Sequence, residues 1–317
     1  MARNAWCRLV MVLAGLASAG PCTADDGAAA RGLAYLAAEV PAWSVEHKCF
    51  SCHNNGDAAR ALYKAVGLGR EVAAGATAAT DRWLAGVARW EAEGGDGPVG
   101  DRRLARVQFA SALASGIAAG RVEDRGALAR AAEVLVTDQA DDGSWGGDDQ
   151  GVVGSPATYG RPLATWMASG ALRAAGDSKY RGPIDRADAW LAKLDPANVP
   201  AASVLLLAPG GRASDARAKA LGLLGRAQGS DGGWGPFVNS GSEAFDTALA
   251  LLALDRQRDE AGVPARIARG RAYLVGLQSE DGSWPETTRP SGRESYAQRV
   301  STTAWATLAL LTVAGPA

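Results

Sequence analysis

Gln278-Ser-Glu-Asp281-Gly282-Ser-Trp284 is a stretch that the chain writes twice more, as Gln139-Ala-Asp-Asp142-Gly143-Ser-Trp145 and as Gln228-Gly-Ser-Asp231-Gly232-Gly-Trp234. The shared pattern is Q-x-x-D-G-[SG]-W. A bulky pair precedes each Gln by five and four residues: Val134-Leu135, Leu223-Leu224 and Tyr273-Leu274. Weaker copies of that pair stand at Tyr35-Leu36, Trp83-Leu84 and Trp190-Leu191. The six positions are 33 to 56 residues apart, a spacing typical of repeat arrays in which each unit buries its apolar face against the next. The expectation is six repeats.

Each repeat reads as a pair of helices. The first is amphipathic, as in Ala265 to Leu277, and belongs on the outside. The second is apolar nearly all round, as in Thr247 to Leu254 and Thr303 to Val313, and belongs inside. The Asp-Gly pair ends the first helix, because Gly supplies a left-handed residue there, while Gln and Trp are suited to tie the turn to a neighbouring repeat. No sustained alternation of apolar and polar residues bounded by hairpin turns is present. The fold class expected is all-α, an α/α toroid of about six helix-pair repeats.

These motifs resemble those of the squalene and oxidosqualene cyclase and protein prenyltransferase superfamily, and the resemblance spans almost all of the chain after its first residues. It implies a ring of inner helices inside a ring of outer ones. It does not imply one chemistry, since unrelated activities share the toroid. Class II cyclases of this group carry D-x-D-D-T-A, with the middle Asp as proton donor. The matching stretch here is Glu243-Ala-Phe245-Asp246-Thr247-Ala248, and Phe245 has no proton to give. Cyclisation of that type is not expected. Glu243 and Asp246 read instead as acids near a helix start, with Ser240 as N-cap. The prenyltransferase zinc site needs a Cys and a His in the barrel, and no Cys or His follows position 53.

The sharpest chemical signal lies near the start, at Cys49-Phe-Ser-Cys52-His53. C-x-x-C-H in an exported protein reads as covalent attachment of one c-type haem: the two thiols reach its vinyl groups and His53 is the proximal iron ligand. A redox disulfide, an inert disulfide and a zinc site built from His47, Cys49, Cys52 and His53 are the competing readings. The first usually sits in a βαβ context, and the last would crowd four ligands into seven residues. The motif falls where the first repeat should turn, so residues 43–56 are expected as a haem-attachment loop at the rim, before a second helix near Gly56 to Ala65. The distal ligand candidates are few. Met167, on an expected inner helix, and His47 are the two, with a weak or vacant sixth position as the default.

Residues 1–24 have the form of a cleavable export signal, with Arg3 and Arg8 flanking a short apolar run from Leu9 to Ala19. Cleavage is expected after Ala24 or Ala19, leaving 25–317 as a single toroid domain in the periplasm or secreted. No later run of 18 apolar residues exists, so no transmembrane segment is expected there. The 317 residues include 33 Lys and Arg against 34 Asp and Glu, so nucleic acid is not an expected partner. The stretch from Pro285 to Arg299 carries Arg289, Arg293, Tyr296 and Arg299. It is read either as a solvated loop or as an anion-holding mouth of the barrel. Trp166 and Trp305 are read as core or as cavity lining. Functionally, the sequence favours haem redox chemistry, with a redox partner protein or a small molecule in the barrel. A haem-dependent oxidoreductase, or a non-redox toroid holding a lipid or glycan with structural cysteines, are the alternatives.

Overall fold

A computed structural model describes residues 24–90, 102–146, 153–209 and 215–313; the export segment falls, up to residue 23, outside them. The described residues are helical, without a β-strand, and pair as the sequence suggests. The outer helices are α1 (Ala24–His47), α3 (Ala78–Ala85), α5 (Arg125–Asp138), α7 (Arg181–Leu191), α9 (Asp215–Ala227) and α11 (Val263–Leu277). Their inner partners are α2 (Ala59–Gly67) with a π-helical segment before it (Cys52–Ala58), then α4 (Arg102–Ala118), α6 (Gly160–Ala175), α8 (Val199–Leu207), α10 (Ala244–Asp255) and α12 (Tyr296–Thr312). Each inner helix packs on the next, and α12 packs on the π-helical segment and α2, so the inner ring closes.

Two of the inner helices, α8 and α10, have no solvent face. Every residue of α8 is buried, and so is α10 from Ala244 to Leu254. This is why their sequences are apolar all round rather than striped.

The repeated motif is the joint between units. Gln139 Nε2 donates to the carbonyl of Gly143 in its own turn and to that of Pro183 near the start of the next outer helix, both at 2.9 Å. Gln228 does the same to Gly232 and Arg266. Gln278 donates to Gly282 and to Ala28 of α1, so the third copy joins the last repeat to the first. Arg31 returns a bond to Gln278 Oε1 at 2.5 Å, and the buried Arg271 of α11 reaches Asp25 at 2.8 Å across the same seam. Within the turn, Asp142 and Asp281 each accept from the backbone N–H and hydroxyl of the following Ser. Gly143, Gly232 and Gly282 have φ of +92°, +90° and +90°, and a Cβ at each would press on the carbonyl of Arg186, Arg269 or Arg31.

The Trp side chains are bonded inside their own repeat. Nε1 of Trp145, Trp234 and Trp284 donates to the carbonyl ten residues earlier, and their backbone N–H groups donate to Thr165, Thr247 and Thr303 on the inner partner. Contact with the next unit comes through the ring. Trp234 lies against Gly270 and Trp284 against Gly32, both on the following outer helix, with no room for a Cβ. No helix among the described residues is long and apolar enough to cross a membrane.

Candidate functional site

The cysteine motif does not form a long rim loop. The outer helix α1 runs to His47, only residues 48–51 are irregular, and Cys52 opens the π-helical segment that continues into α2. The expected loop over 43–56 is therefore helical at both ends. The reason lies in its polar side chains, which supply their own partners. Ser51 caps the segment by accepting from Asn54 N–H, and Asn55 Oδ1 accepts from Ser51 N–H. Asn54 Nδ2 reaches the Glu39 carbonyl and Tyr296 Oη, and Asn55 Nδ2 reaches Thr80. Gly56 allows α4 to approach, since a Cβ there would meet Gln108 at 3.0 Å. All seven residues from Cys52 to Ala58 are buried.

The motif thus points into the protein. His53 is 5% exposed, and its Nδ1 lies 3.4 Å from Ser301 Oγ on α12. Ser301 also donates to Asp57 Oδ2 at 2.8 Å, so it links the imidazole to that carboxylate. Cys52 Sγ lies against the same ring, 3.8 Å from Nδ1 and 3.6 Å from Nε2. Cys49 and Cys52 are not joined to each other.

Asp57, one turn on, is the hub of the site. Tyr159 donates to Oδ1, while Ser301 and Gln108 donate to Oδ2, Gln108 at 3.0 Å. Burial pushes its carboxyl above the usual range, against the opposing pull of Arg60 and of the Tyr159 and Ser301 bonds. Arg60 Nη2 stands 4.0 Å from Asp57 Oδ1. The Arg60 guanidinium also lies over Trp305, 4.1 Å from the ring centroid, and its Nη1 donates to Met167 Sδ at 3.0 Å.

Met167 is therefore buried on α6, as its helix suggests, with its sulfur facing Arg60. His47 sits at the end of α1, tilted against Trp43 with ring centroids 3.9 Å apart and its side chain 43% exposed. His47 and the C-x-x-C-H residues do not converge: among the described residues no three His, Cys, Asp or Glu side chains gather to hold a metal ion. The zinc reading loses its ligand set.

Two of the three arginines of the expected mouth are held in ion pairs. Arg289 bonds Glu243 at 2.6 Å, Asp246 at 2.7 Å and the Gly154 carbonyl. Arg299 pairs with Glu286, and Arg293 is exposed. Tyr296 and Arg299 belong to the first turn of α12 rather than to a loop. Glu243, not Ser240, occupies the N-cap position of α10, and its carboxylate goes to Arg289 rather than to the helix end. Asp246 is fully buried, and burial pushes its carboxyl up to about 7 in spite of Arg289. Phe245 is also fully buried and meets the Trp305 ring edge-on at 5.8 Å.

The residues present fit a covalently held haem. Two unjoined thiols precede an imidazole whose Nδ1 lies 3.4 Å from a hydroxyl that is itself bonded to a carboxylate, the outer-shell arrangement that orients iron-binding histidines. Phe50, stacked on Trp83 at 4.6 Å, adds an aromatic wall beside the motif. Orphaned buried donors at Arg60 and Trp305 stand in the same neighbourhood. Sequence reasoning missed Asp57, Arg60, Gln108, Tyr159 and Ser301. For Asp57 and Arg60 the available signal was a polar run entering an inner helix, where apolar residues were the rule. Gln108, Tyr159 and Ser301 come from other repeats and left none.

No protein-family model matches the chain, and no curated protein matches it. Solved structures do. The type II terpene cyclase MstE from Scytonema, without ligand, is 14% identical, with a TM-score of 0.57 over 91% of this chain and 98% of that one. A variant of the same enzyme in complex with geranylgeranyl dihydroxybenzoate, its substrate, gives 14% and 0.57 over 92% and 97%. A protein from Actinoplanes is 19% identical, with a TM-score of 0.55 over 90% and 98%. At these identities the likeness is one of fold: the chain is a terpene cyclase-like α/α toroid.

Proposed function

We propose that this toroid is an exported c-type haem protein that carries one haem through Cys49 and Cys52, with His53 as the proximal ligand, and serves electron transfer or haem redox chemistry. The observation that carries the reading is the placement of His53. A C-x-x-C-H imidazole lies inside the barrel with Nδ1 3.4 Å from Ser301, which in turn donates to Asp57, and Nε2 is the nitrogen that would bind iron. In attachment each thiol adds its S–H across a vinyl group, so no atom is lost. When bound, haem supplies a one-electron iron couple.

The chain's own residues do the rest. Asp57 and Ser301 orient the imidazole from its Nδ1 side. Phe50 and Trp83 offer apolar surface, and Asn54, Asn55 and Gly56 hold the segment against α1, α3 and α4. Neither Met167 nor His47 is poised as a strong sixth ligand, because one faces Arg60 and the other packs on Trp43. Export to the periplasm, where such haems are attached, belongs to the same proposal.

A pyridine-haemochrome spectrum of protein made with a cytochrome c maturation system tests it. The expected result is a bis-thioether c-type spectrum that disappears in the Cys49→Ser, Cys52→Ser double variant. Absence of haem in the unaltered protein, or its retention in the double variant, overturns the reading.

A further inference from the structure

A guanidinium that is 8% exposed normally has every N–H bonded, because stripping water from a charge costs several kcal/mol. Arg60 departs from this. Its Nε and Nη2 have no hydrogen-bond partner. Those two nitrogens form one edge of the planar group, the edge whose parallel N–H bonds match the two oxygens of a carboxylate. The third nitrogen, Nη1, is spent on a thioether, a weak acceptor. Asp57, at 4.0 Å, is near enough to offset charge and too far for a hydrogen bond, and its oxygens already accept from Tyr159, Ser301 and Gln108.

The walls around this edge are apolar. The guanidinium rests on Trp305, whose ring takes Tyr159 and Phe245 edge-on at 5.8 Å each, and Met167 closes another side. Trp305 Nε1 is a second buried donor without a partner. Each of these atoms exposes less than 1 Å², so bulk water does not reach them, and a ligand oxygen reaches them only when neighbouring side chains shift.

We infer that the Nε–Nη2 edge of Arg60 is a carboxylate-binding fork inside the barrel, made for a monocarboxylate carried on an aromatic or aliphatic body. Two sources share this chemistry: a free carboxylic acid ligand, and a propionate of the haem. The inference stands on Arg60 and its surroundings, so it holds whether or not haem is attached. Anions without an apolar body gain nothing from Trp305 and Phe245, and an uncharged amide gains little from the fork.

The test is calorimetric titration of the full chain with benzoate and with its uncharged isostere benzamide, on protein prepared with haem and without it. Benzoate is expected to bind the haem-free protein at least about tenfold more tightly than benzamide. Arg60→Lys, which keeps the charge but loses the planar fork, is expected to weaken benzoate by about tenfold, and Arg60→Gln to abolish it. Benzoate binding that persists in the haem-loaded protein points to a free ligand. Binding present only without haem points to a propionate in the fork. The inference is overturned if benzoate fails to bind the haem-free protein, if benzamide binds equally well, or if Arg60→Lys leaves the affinity unchanged. Should Arg60→Gln fail to fold, the lysine variant and the benzoate-to-benzamide ratio still decide. Failure of the haem reading shows separately, as absence of haem from the loaded preparation.

Discussion

Replacing Gly282 by Ala strikes the joint that closes the ring. Gly282 has φ of +90°, and an ideal Cβ there would stand 2.5 Å from the Arg31 carbonyl oxygen on α1. A left-handed L-residue costs roughly 1–2 kcal/mol. Relieving the clash by shifting backbone in a packed seam costs about 1–3 kcal/mol more. The sum, about 2–5 kcal/mol, is a large part of the 5–15 kcal/mol or so that stabilises a domain. It corresponds to a fall in Tm of roughly 4–20 °C, since each kcal/mol moves Tm by about 2–4 °C in proteins somewhat smaller than this one. Thermal unfolding followed by far-ultraviolet circular dichroism measures it. Gly170→Ala is the control: Gly170 is exposed, mid-helix in α6, and a Cβ there meets nothing within 4 Å, so a gain of about 0.5–1 kcal/mol is expected. A Gly282→Ala loss below about 0.5 kcal/mol, the level of a neutral surface change, would refute the account of the motif as an inter-repeat joint.

Arg289→Ala leaves the fully buried Asp246 without its cation and is expected to cost about 3–5 kcal/mol at pH 8 and clearly less at pH 5. The sign follows from the carboxyl lying at about 7 in the fold against 3.8 unfolded: the folded state binds the extra proton, so stability from this group falls as pH rises between those values, and Asp246→Asn should flatten that slope in chemical denaturation. Asp57→Ala removes the acceptor of Tyr159, Ser301 and Gln108 and the counter-charge of Arg60, and a loss of about 3–5 kcal/mol in the same assay is expected, whereas Asp57→Ala within about 1 kcal/mol of the parent would show the hub to be unimportant. Squalene and oxidosqualene should be recovered unchanged after incubation, because Phe245 has no proton to give and Asp246 is tied to Arg289; a cyclised product in the extract would contradict this. The reduced haem-loaded protein should bind carbon monoxide readily, and a stable near-infrared methionine-to-iron band lost in Met167→Ala would show the sixth position to be filled.

The ring was legible because its joints are written locally. Gln278, Gly282 and Trp284 need fixed offsets to close one turn, and each reappears at the same offsets near 139 and 228, so periodicity exposed them. The inner helix α10 was legible because a helix without a solvent face has no polar stripe. The boundary of the motif loop was not, since the helical ends of 43–56 depend on Asn54 and Asn55 finding Tyr296 and Thr80, partners that no local rule names. Ser240 lost the N-cap of α10 to Glu243 for a similar reason: Arg289, more than forty residues away, decides where the Glu243 carboxylate goes. The hub at Asp57 assembles residues from α4, α12 and the turn before α6, and such convergence is a property of the closed ring rather than of any segment.

Intact mass of the mature protein after acid-acetone extraction, with production in a strain that attaches haem covalently, tests the central claim most directly. The account predicts one haem mass retained on the polypeptide, lost entirely when Cys49 and Cys52 are both Ser. A mass equal to the bare polypeptide for the unaltered chain would contradict it.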